Sequence, residues 1–437
     1  MKNISKILFL MMLAVAAVSF VGCKDCDESD PSSDCYVTPP VTELEHSGAI
    51  TTNTTWSANT VHFIKGRVWV ESGATLTIEK GAIVKGRTGT EANASALIIA
   101  KGGKLMAEGT ADMPIIFTSE LDNIALGQKT GTNLTGNDRE KWGGLIILGQ
   151  AKISAENGDI SAQIEGIPAT ATYGAFGGDN DADNSGVLTY VSIRHGGALI
   201  GEGNEINGLT LGGVGSGTVI NHVEIVATLD DGIEFFGGSV NVQNALVYNH
   251  GDDGIDIDFN YSGTVNNFVV MHGGDTDEGL EIDGPEGTTH TSGLFTLKNG
   301  TIISTDGKGS AADLKSKAQG TIENCSFAGY SGKYIKFRAS FGDTTNCTSK
   351  SDAYAYFIAA TPKLIVKNND LGASSLTAMA SGYTASCVSC GCFDSAAETA
   401  LDALMATSGN ALNTASSKGA NKSEFTGWSW TSVNNKL

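Results

Sequence analysis

Asp230-Asp231-Gly232-Ile233-Glu234-Phe235 recurs as Asp252-Asp253-Gly254-Ile255-Asp256-Ile257 and as Asp277-Glu278-Gly279-Leu280-Glu281-Ile282. The copies begin 22 and 25 residues apart. A repeat in the low twenties is typical of a solenoid, in which each repeat forms one turn of a coil. The repeated phrase therefore predicts the fold, and it predicts that carboxylates stack in columns on the coil.

A column of asparagines supports the same period. The steps between its members are 23, 23, 32 and 25 residues, and each member precedes a short, mostly apolar strand; the members are Asn221, Asn244, Asn267, Asn299 and Asn324. Short strands that repeat at this period, each parallel to the last, predict an all-β chain folded as a single-stranded parallel β-helix of 22–25 residues per rung. The 32-residue step predicts a loop inserted at one corner.

Composition agrees with this fold class and narrows the partners. The 437 residues include 56 glycines and only 7 prolines, as expected for an all-β chain with many tight turns. Residues 1–22 contain two lysines and no acidic residue, so their removal leaves 26 basic against 48 acidic residues and a net charge of −22. Such a chain is repelled by nucleic acid, which is therefore not an expected partner.

The first residues predict export. Residues 1–22 combine a basic start with an apolar run too short to span a membrane. Phe20-Val21-Gly22-Cys23 resembles a bacterial lipobox, which predicts lipidation of Cys23 and an outer-membrane anchor; an ordinary signal peptide cleaved elsewhere is the alternative. Residues 23–45 are predicted to be an acidic tether, and their acidic run is either a surface-export signal or a solvated linker.

Several longer stretches resemble one known family. They are GATLTIEKGAIVKG, ALIIAKGGKLMAEGTADMPIIFTS, WGGLIILG, SGVLTYVSIRHGG and DDGIEFFGG, between about Gly66 and Gly284, together with FTGWSW at 425–430. They resemble Bacteroidetes surface lipoproteins that have a right-handed parallel β-helix and no well-characterised function. The resemblance implies the fold and a location facing the cell exterior, and it implies no activity.

The domain organisation follows from these patterns. Residues 46–394 are predicted to form the β-helix and residues 395–437 a small C-terminal cap, with a short helix from Ser395 to Ala406. Residues 41–62 are expected to cap the first rung, because an uncovered solenoid end invites aggregation.

The repeated phrase also predicts a candidate metal site. Residues 228–284 contain twelve acidic residues and no lysine or arginine. Like charges on strands about 4.8 Å apart need compensation, and Ca²⁺ accepts six to eight oxygen ligands in flexible geometry. The alternative is turn chemistry, in which Asp side chains bond their own backbone. The candidate ligands are Asp230, Asp231, Glu234, Asp252, Asp253, Asp256, Asp277, Glu278 and Glu281.

Two further expectations concern the neighbours of these columns. Gly232, Gly254 and Gly279 are expected at turns that need a positive φ. If Leu314 and Ile335 continue the inward stack, Lys315 and Lys336 fall under Glu281, and Lys317 and Arg338 fall under Asp283. Acidic and basic side chains would then be neighbours on one face of the coil. They would form either a capping array of ion pairs or a surface that binds a charged polymer.

The cysteines suggest disulfides, which form in exported proteins. Cys26 and Cys35 could close a loop in the tether, and Cys325 and Cys347, one rung apart, could pair with each other. Cys387, Cys390 and Cys392 would leave one thiol over; a metal site is the alternative for this cluster.

Two classes of function remain open. The first is a binding or structural protein, whose long repetitive face suits glycans or other surface proteins. The second is a Ca²⁺-dependent polysaccharide lyase acting on uronate-containing glycans, which similar lyases of this fold suggest; Asp252, Asp253, Asp256 and Glu281 would hold the metal and Lys315 or Lys336 would act as base.

Overall fold

The chain coils into a parallel β-helix, as the repeat predicts, and the coil is right-handed, as the family resemblance implies. The computed structural model describes residues 42–201, 204–274, 276–332, 334–343, 345–373, 375, 380–383, 392, 395–413 and 415–437. No helix within these ranges combines the length and the hydropathy needed to cross a membrane.

Most of the strands join one sheet of 26 strands. In the first half they are β1 (Thr42–Ile50), β2 (Thr54–Trp56), β3 (Thr60–Val70), β4 (Thr75–Ile78), β5 (Ile83–Gly86), β6 (Ala96–Ile99), β7 (Lys104–Glu108), β8 (Ile115–Ser119), β9 (Leu145–Leu148), β10 (Ala162–Gln163), β11 (Ala175–Phe176), β12 (Gly186–Arg194), β13 (Leu209–Gly212) and β14 (Val219–Val226).

The second half continues the coil. Its strands are β15 (Ile233–Phe236), β16 (Asn241–Tyr248), β17 (Ile255–Asp258), β18 (Thr264–His272), β19 (Leu280–Ile282), β20 (Phe295–Ser304), β21 (Ala312–Leu314), β22 (Gly320–Glu323), β23 (Ser326–Ala328), β24 (Ile335–Arg338), β25 (Phe341–Asp343), β26 (Thr348–Ser349), β27 (Leu364–Lys367), β28 (Asp370–Leu371), β29 (Ala380–Tyr383) and β30 (Ala411–Leu412). The helices are α1 (Ala353–Ile358), α2 (Ser395–Thr407) and α3 (Trp430–Val433), with 3₁₀ turns at Glu91–Asn93, Glu156–Gly158, Thr172–Gly174 and Lys422–Phe425.

Parallel pairing stacks the strands into three faces. Face 1 contains β6, β9, β13, β15, β17, β19, β21, β24 and β29. Face 2 contains β4, β7, β22, β27 and the first parts of the long strands β12, β14, β16, β18 and β20. Face 3 contains the second parts of these long strands together with β5, β8, β23, β28 and β30. Inward residues such as Ile233, Ile255 and Leu280 are fully buried in one continuous core.

The corner between faces 2 and 3 explains the asparagine column. Asn244, Asn267, Asn299 and Asn324 have φ between 54° and 57°, a left-handed conformation that Asn tolerates better than most residues. Asn221 does not belong to this column, because it pairs with Gln243 and His222 takes the corner position with φ 57°. The sequence period was right, and its register was one residue off at Asn221.

Different elements cover the two ends of the coil. Trp56 closes the N-terminal end of the core in a stack with His46 and His62, and β1 forms the first strand of the coil as well as its edge. At the other end, where a cap is predicted, α2 packs Leu401 and Met405 against the core, and it begins at Ser395 as the predicted short helix does.

Residues 415–437, here called the C-terminal strap, do not belong to that cap. They run back along the side of the coil: Gly419 N–H donates to Asn324 O, Asn421 N–H to Asn267 Oδ1, and Asn434 Nδ2 to Thr130 Oγ1. Phe425 and Trp428 pack against Leu246, Val269 and Met271. The expectation that all of residues 395–437 cap the last rung is therefore wrong for the strap, whose apolar residues find partners on the side of the coil.

Candidate functional site

The acidic columns lie on face 1 and at the turn before it. Glu234, Asp256 and Glu281 are in register on β15, β17 and β19, as predicted from the repeat. Phe236 pairs with Asp258 two residues further along, which places Asp258 in the neighbouring outward column. The predicted stack of carboxylates is therefore present in the folded chain.

The column at the turn forms a hydrogen-bonded ladder. Asn207 Oδ1 accepts a hydrogen bond from Asp231 N–H (3.2 Å), Asp231 Oδ1 accepts one from Asp253 N–H (2.9 Å), and Asp253 Oδ1 accepts one from Glu278 N–H (2.8 Å). This is the turn chemistry that the sequence left open, acting between successive rungs. It occupies one oxygen of Asp231 and one of Asp253, and it leaves the other oxygen of each side chain for a further partner.

The repeated phrase contains glycine for a different structural reason from the one predicted. None of Gly232, Gly254 and Gly279 has a positive φ. A Cβ at Gly254 would overlap Val270 Cγ1 and approach Gly279 O, and the same kind of contact recurs at the other two positions. Close approach of successive rungs therefore requires glycine here, and the predicted positive φ is wrong.

The register beyond β19 also differs from the expectation. Glu281 pairs with Asp313 and Ile282 with Leu314, so the step is 32 residues where the sequence alignment assumed 34. Lys315 consequently follows Leu314 beside Asp283, and Lys317 leaves the column to donate to Pro285 O (2.8 Å). A long inserted loop hides the register, because both alignments place apolar residues inward.

Basic residues nevertheless close the C-terminal end of the acidic face. Lys315 forms ion pairs with Glu281 and Asp283, and Lys336 forms one with Glu278. Arg338 binds Asp313, which is 1% exposed, through both carboxylate oxygens. The face is thus compensated at this end.

In the N-terminal part of the face, the described residues provide no such ion pairs. Asp231, Glu234 and Asp256 are buried and offer oxygens that all lie within 4.8 Å of one another. Among the described residues, no lysine or arginine pairs with them, and Asp256 Oδ1 is buried with no hydrogen-bond partner. Glu234 accepts a hydrogen bond from Asn207 Nδ2.

Two flanking groups of carboxylates extend this cluster. Asp230, Asp231 and Asp252 form one, and Asp253, Glu278 and Glu281 form the other, again with oxygens within 4.8 Å of one another. The second group already has Lys315 and Lys336 as counter-ions. Eight of the nine predicted ligands thus converge; Asp277 is absent from these three groups.

Burial and mutual repulsion change the protonation of these groups. Burial, with the charges of Asp256 and other neighbours, raises the pKa of Glu234 well above its usual range, and burial with repulsion raises that of Asp231 and Asp256 similarly. The pKa of Asp253 is raised to about 10, mainly by burial. Without a cation these carboxyl groups therefore retain protons near neutral pH.

The predicted catalytic bases are held as cations. Lys315 and Lys336 have a raised pKa, because their ion pairs with Glu281 and Glu278 outweigh the effect of burial. A lysine that removes a proton from a substrate must first be neutral. This arrangement opposes the role of base for either lysine.

A cavity of about 400 Å³ adjoins the face on the side of the 155–176 loop. Its apolar wall contains Phe176, Phe236 and Phe259, whose ring centroids lie 5.6–6.1 Å apart. Five carboxylates also line the cavity, and none of them was among the predicted ligands; they are Glu156, Asp159, Glu165, Asp258 and Glu286. Asp258 was visible as an outward position in the repeat, whereas the loop residues gave no sequence signal.

The cysteine predictions have mixed outcomes. Cys347 pairs with Cys392, which brings the loop after β25 to the C-terminal region. The expected pairing of Cys325 with Cys347 is wrong, because Cys325 points into the core, is fully buried and remains a free thiol. Cys23, Cys26, Cys35, Cys387 and Cys390 lie outside the described residues.

Comparison with known proteins agrees with this architecture. Residues 48–356 match the model of the pectate-lyase like beta helix domain, and the chain belongs to that family. No curated protein and no solved structure matches the chain.

Proposed function

We propose that the chain is a lipid-anchored β-helix of a bacterial outer surface, and that its acidic face binds Ca²⁺ as part of a non-catalytic binding module. The observation that supports this proposal is the buried group of Asp231, Glu234 and Asp256, with one unpartnered oxygen on Asp256. Oxygen-only ligands in adaptable geometry suit Ca²⁺ better than Zn²⁺ or Mg²⁺.

The charge balance defines where the ion binds. The Asp253, Glu278 and Glu281 group already has Lys315 and Lys336, so an additional cation there would meet two ammonium groups. The Asp231, Glu234 and Asp256 group accepts hydrogen bonds, and none of the described lysines or arginines forms an ion pair with it. We therefore assign the primary ion to the group of Asp231, Glu234 and Asp256, with Asp253 at its edge.

Calcium titration by calorimetry tests the assignment. The chain without residues 1–22 is expected to bind Ca²⁺, Asp256→Asn to lose at least about tenfold in affinity, and the exposed Asp112→Asn to bind as the unchanged chain does. Mg²⁺ at the same concentration serves as a second control. Absence of Ca²⁺ binding, or equal loss in both variants, would contradict the assignment.

The anchor is tested separately, in cells. Labelled palmitate is expected in the unchanged protein and absent from Cys23→Ala, and protease added to intact cells is expected to reach the anchored protein. Labelling that survives Cys23→Ala would refute the anchor, and full protection from protease would refute exposure to the exterior.

Membership of the pectate-lyase like family makes a lyase the second candidate. Ca²⁺ on face 1 would then neutralise a uronate, and Lys315 or Lys336 would take its proton. Because both lysines are held as cations, we expect no unsaturated product from polygalacturonate or other uronate polymers, followed by ultraviolet absorbance. Product that appears with the unchanged chain and disappears with Lys315→Ala or Lys336→Ala would establish the lyase.

A further inference from the structure

A second, chemically different cleft lies between the coil and the C-terminal strap. Its volume is about 390 Å³, and it is open to solvent along one side. Its lining is dominated by side-chain amides and contains one carboxylate and no lysine or arginine; the residues are Gln243, Asn244, Asn266, Asn267, Asn299, Gly419, Asn421 and Glu424.

The amides form two linked columns at the corner of faces 2 and 3. Asn266 Nδ2 donates to Gln243 Oε1 (2.7 Å), and Asn267 Nδ2 donates to Asn244 Oδ1 (2.6 Å). Asn299 Nδ2 donates to Asn266 Oδ1 (2.6 Å), which ties the columns together. The ladder fixes each of these amides in orientation, so a ligand would meet groups that lose little further entropy on binding.

The ladder leaves donors toward the cleft. Each amide nitrogen carries two hydrogens, and Asn266 and Asn299 each use one of them within the ladder. Within the described part of the chain, Gln243 Nε2 donates to no protein acceptor. Glu424, on the strap side, adds a half-exposed carboxylate that accepts from His222 and Asn421.

We propose that this cleft binds a neutral glycan chain that runs along the coil axis. Amides that are fixed and both donate and accept suit hydroxyl groups, and the rungs repeat them about every 4.8 Å. The residues that line the cleft include one carboxylate and no lysine or arginine, which disfavours uronates, so the ligand class differs from that expected at face 1. The inference deepens the proposed binding function, on which it rests, and needs no metal.

Titration with neutral oligosaccharides in EDTA tests the proposal independently of face 1. Cellohexaose and maltohexaose are the probes, hexagalacturonate is the charged comparison, and binding is followed by calorimetry and by NMR shifts of side-chain amides. At least one neutral hexamer is expected to bind, and hexagalacturonate to bind at least about tenfold more weakly. Binding at millimolar probe by neither neutral hexamer overturns the proposal, whatever the calcium titration shows.

Matched variants locate the site. Gln243→Leu is expected to weaken binding about five- to tenfold through one lost amide. The control is Asn241→Leu, which removes an exposed amide from the same side of β16; the oxygen of that amide also accepts a hydrogen bond from the next rung. This control is expected to change binding less than twofold. Equal losses overturn the proposal.

A variant in the strap provides a second test in case Gln243→Leu does not fold. If circular dichroism shows that Gln243→Leu is unfolded, Asn421→Ala tests the opposite wall and leaves the coil amides in place. It too is expected to weaken binding several-fold, and unchanged affinity with a folded chain overturns the proposal.

Discussion

Among single residues, Asp256 is the one whose carboxyl group the proposed cation would affect most directly. It is buried beside Glu234 and Asp231, its Oδ1 has no partner, and burial raises its pKa well above the usual range. A neutral amide of the same shape removes the repulsion and retains the volume. We expect Asp256→Asn to raise the free energy of unfolding in EDTA at pH 8 by about 1–3 kcal/mol.

Urea denaturation with and without Ca²⁺ measures this effect. The unchanged chain should gain stability from Ca²⁺, and Asp256→Asn should gain little. Asp112→Asn, which changes an exposed carboxylate, should leave both curves unchanged. A destabilised Asp256→Asn in EDTA would show that the carboxylate is structurally required and would refute the proposed repulsion.

Gly254 illustrates a different residue-scale constraint. Glycine is required at this position because a Cβ would overlap Val270 and Gly279 O; its φ is not positive and does not itself require glycine. Gly254→Ala should therefore lower the free energy of unfolding by about 1–3 kcal/mol, the usual cost of overpacking. Gly332→Ala, where a Cβ would meet nothing within 4 Å, should be neutral in the same urea titration. A neutral Gly254→Ala would mean that the rungs can separate without cost.

At the scale of elements, one buried carboxylate of the coil accepts three hydrogen bonds from the strap. Glu224 on β14 is fully buried and accepts from Trp430 N–H (2.8 Å), Thr431 N–H (2.8 Å), Thr431 Oγ1 (2.7 Å) and Ser192 Oγ (2.5 Å). These donors include the first backbone groups of α3, which a negative charge stabilises. Glu224→Gln replaces one acceptor oxygen by a donor and opposes two of these bonds.

The strap should then detach before the coil unfolds. We expect Glu224→Gln to cost about 2–4 kcal/mol and to make residues 415–437 the first site of cleavage in limited proteolysis followed by mass spectrometry. Glu323→Gln, which alters only a half-exposed pair with Lys367, should cost less than about 1 kcal/mol and leave the cleavage pattern unchanged. An identical pattern for both variants would show that Glu224 does not fasten the strap.

For the whole molecule, the acidic face makes stability depend on pH. Burial and repulsion raise the pKa of Asp230 to about 7, of Asp258 to about 8 and of Asp253 to about 10, against about 4 in the unfolded chain. Between these limits the folded chain binds more protons than the unfolded chain. Its stability therefore falls as pH rises from about 4 through these values when no cation is present.

Bound Ca²⁺ should reverse this trend, because it replaces the protons. We expect the rise in Tm caused by Ca²⁺ to be small at pH 5 and to grow through pH 6.5 to pH 8, with protons released on binding. Calorimetric scans at the three pH values, and titrations in buffers of different ionisation enthalpy, measure both effects. A Ca²⁺ effect that is independent of pH would show that the raised carboxyl pKa values are not linked to the ion.

The sequence by itself determined the period, the all-β coil, the inward columns and the acidic outward columns, because parallel rungs repeat the same residue types at the same positions. Tertiary structure alone decided the register across the 32-residue insertion, the partner of Cys347 and the course of the strap. Those features depend on contacts between residues far apart in the chain, where no period relates the two sides. The same reason explains the candidate site: the repeat identified its carboxylates, and only the fold showed which of them have no counter-ion among the described residues.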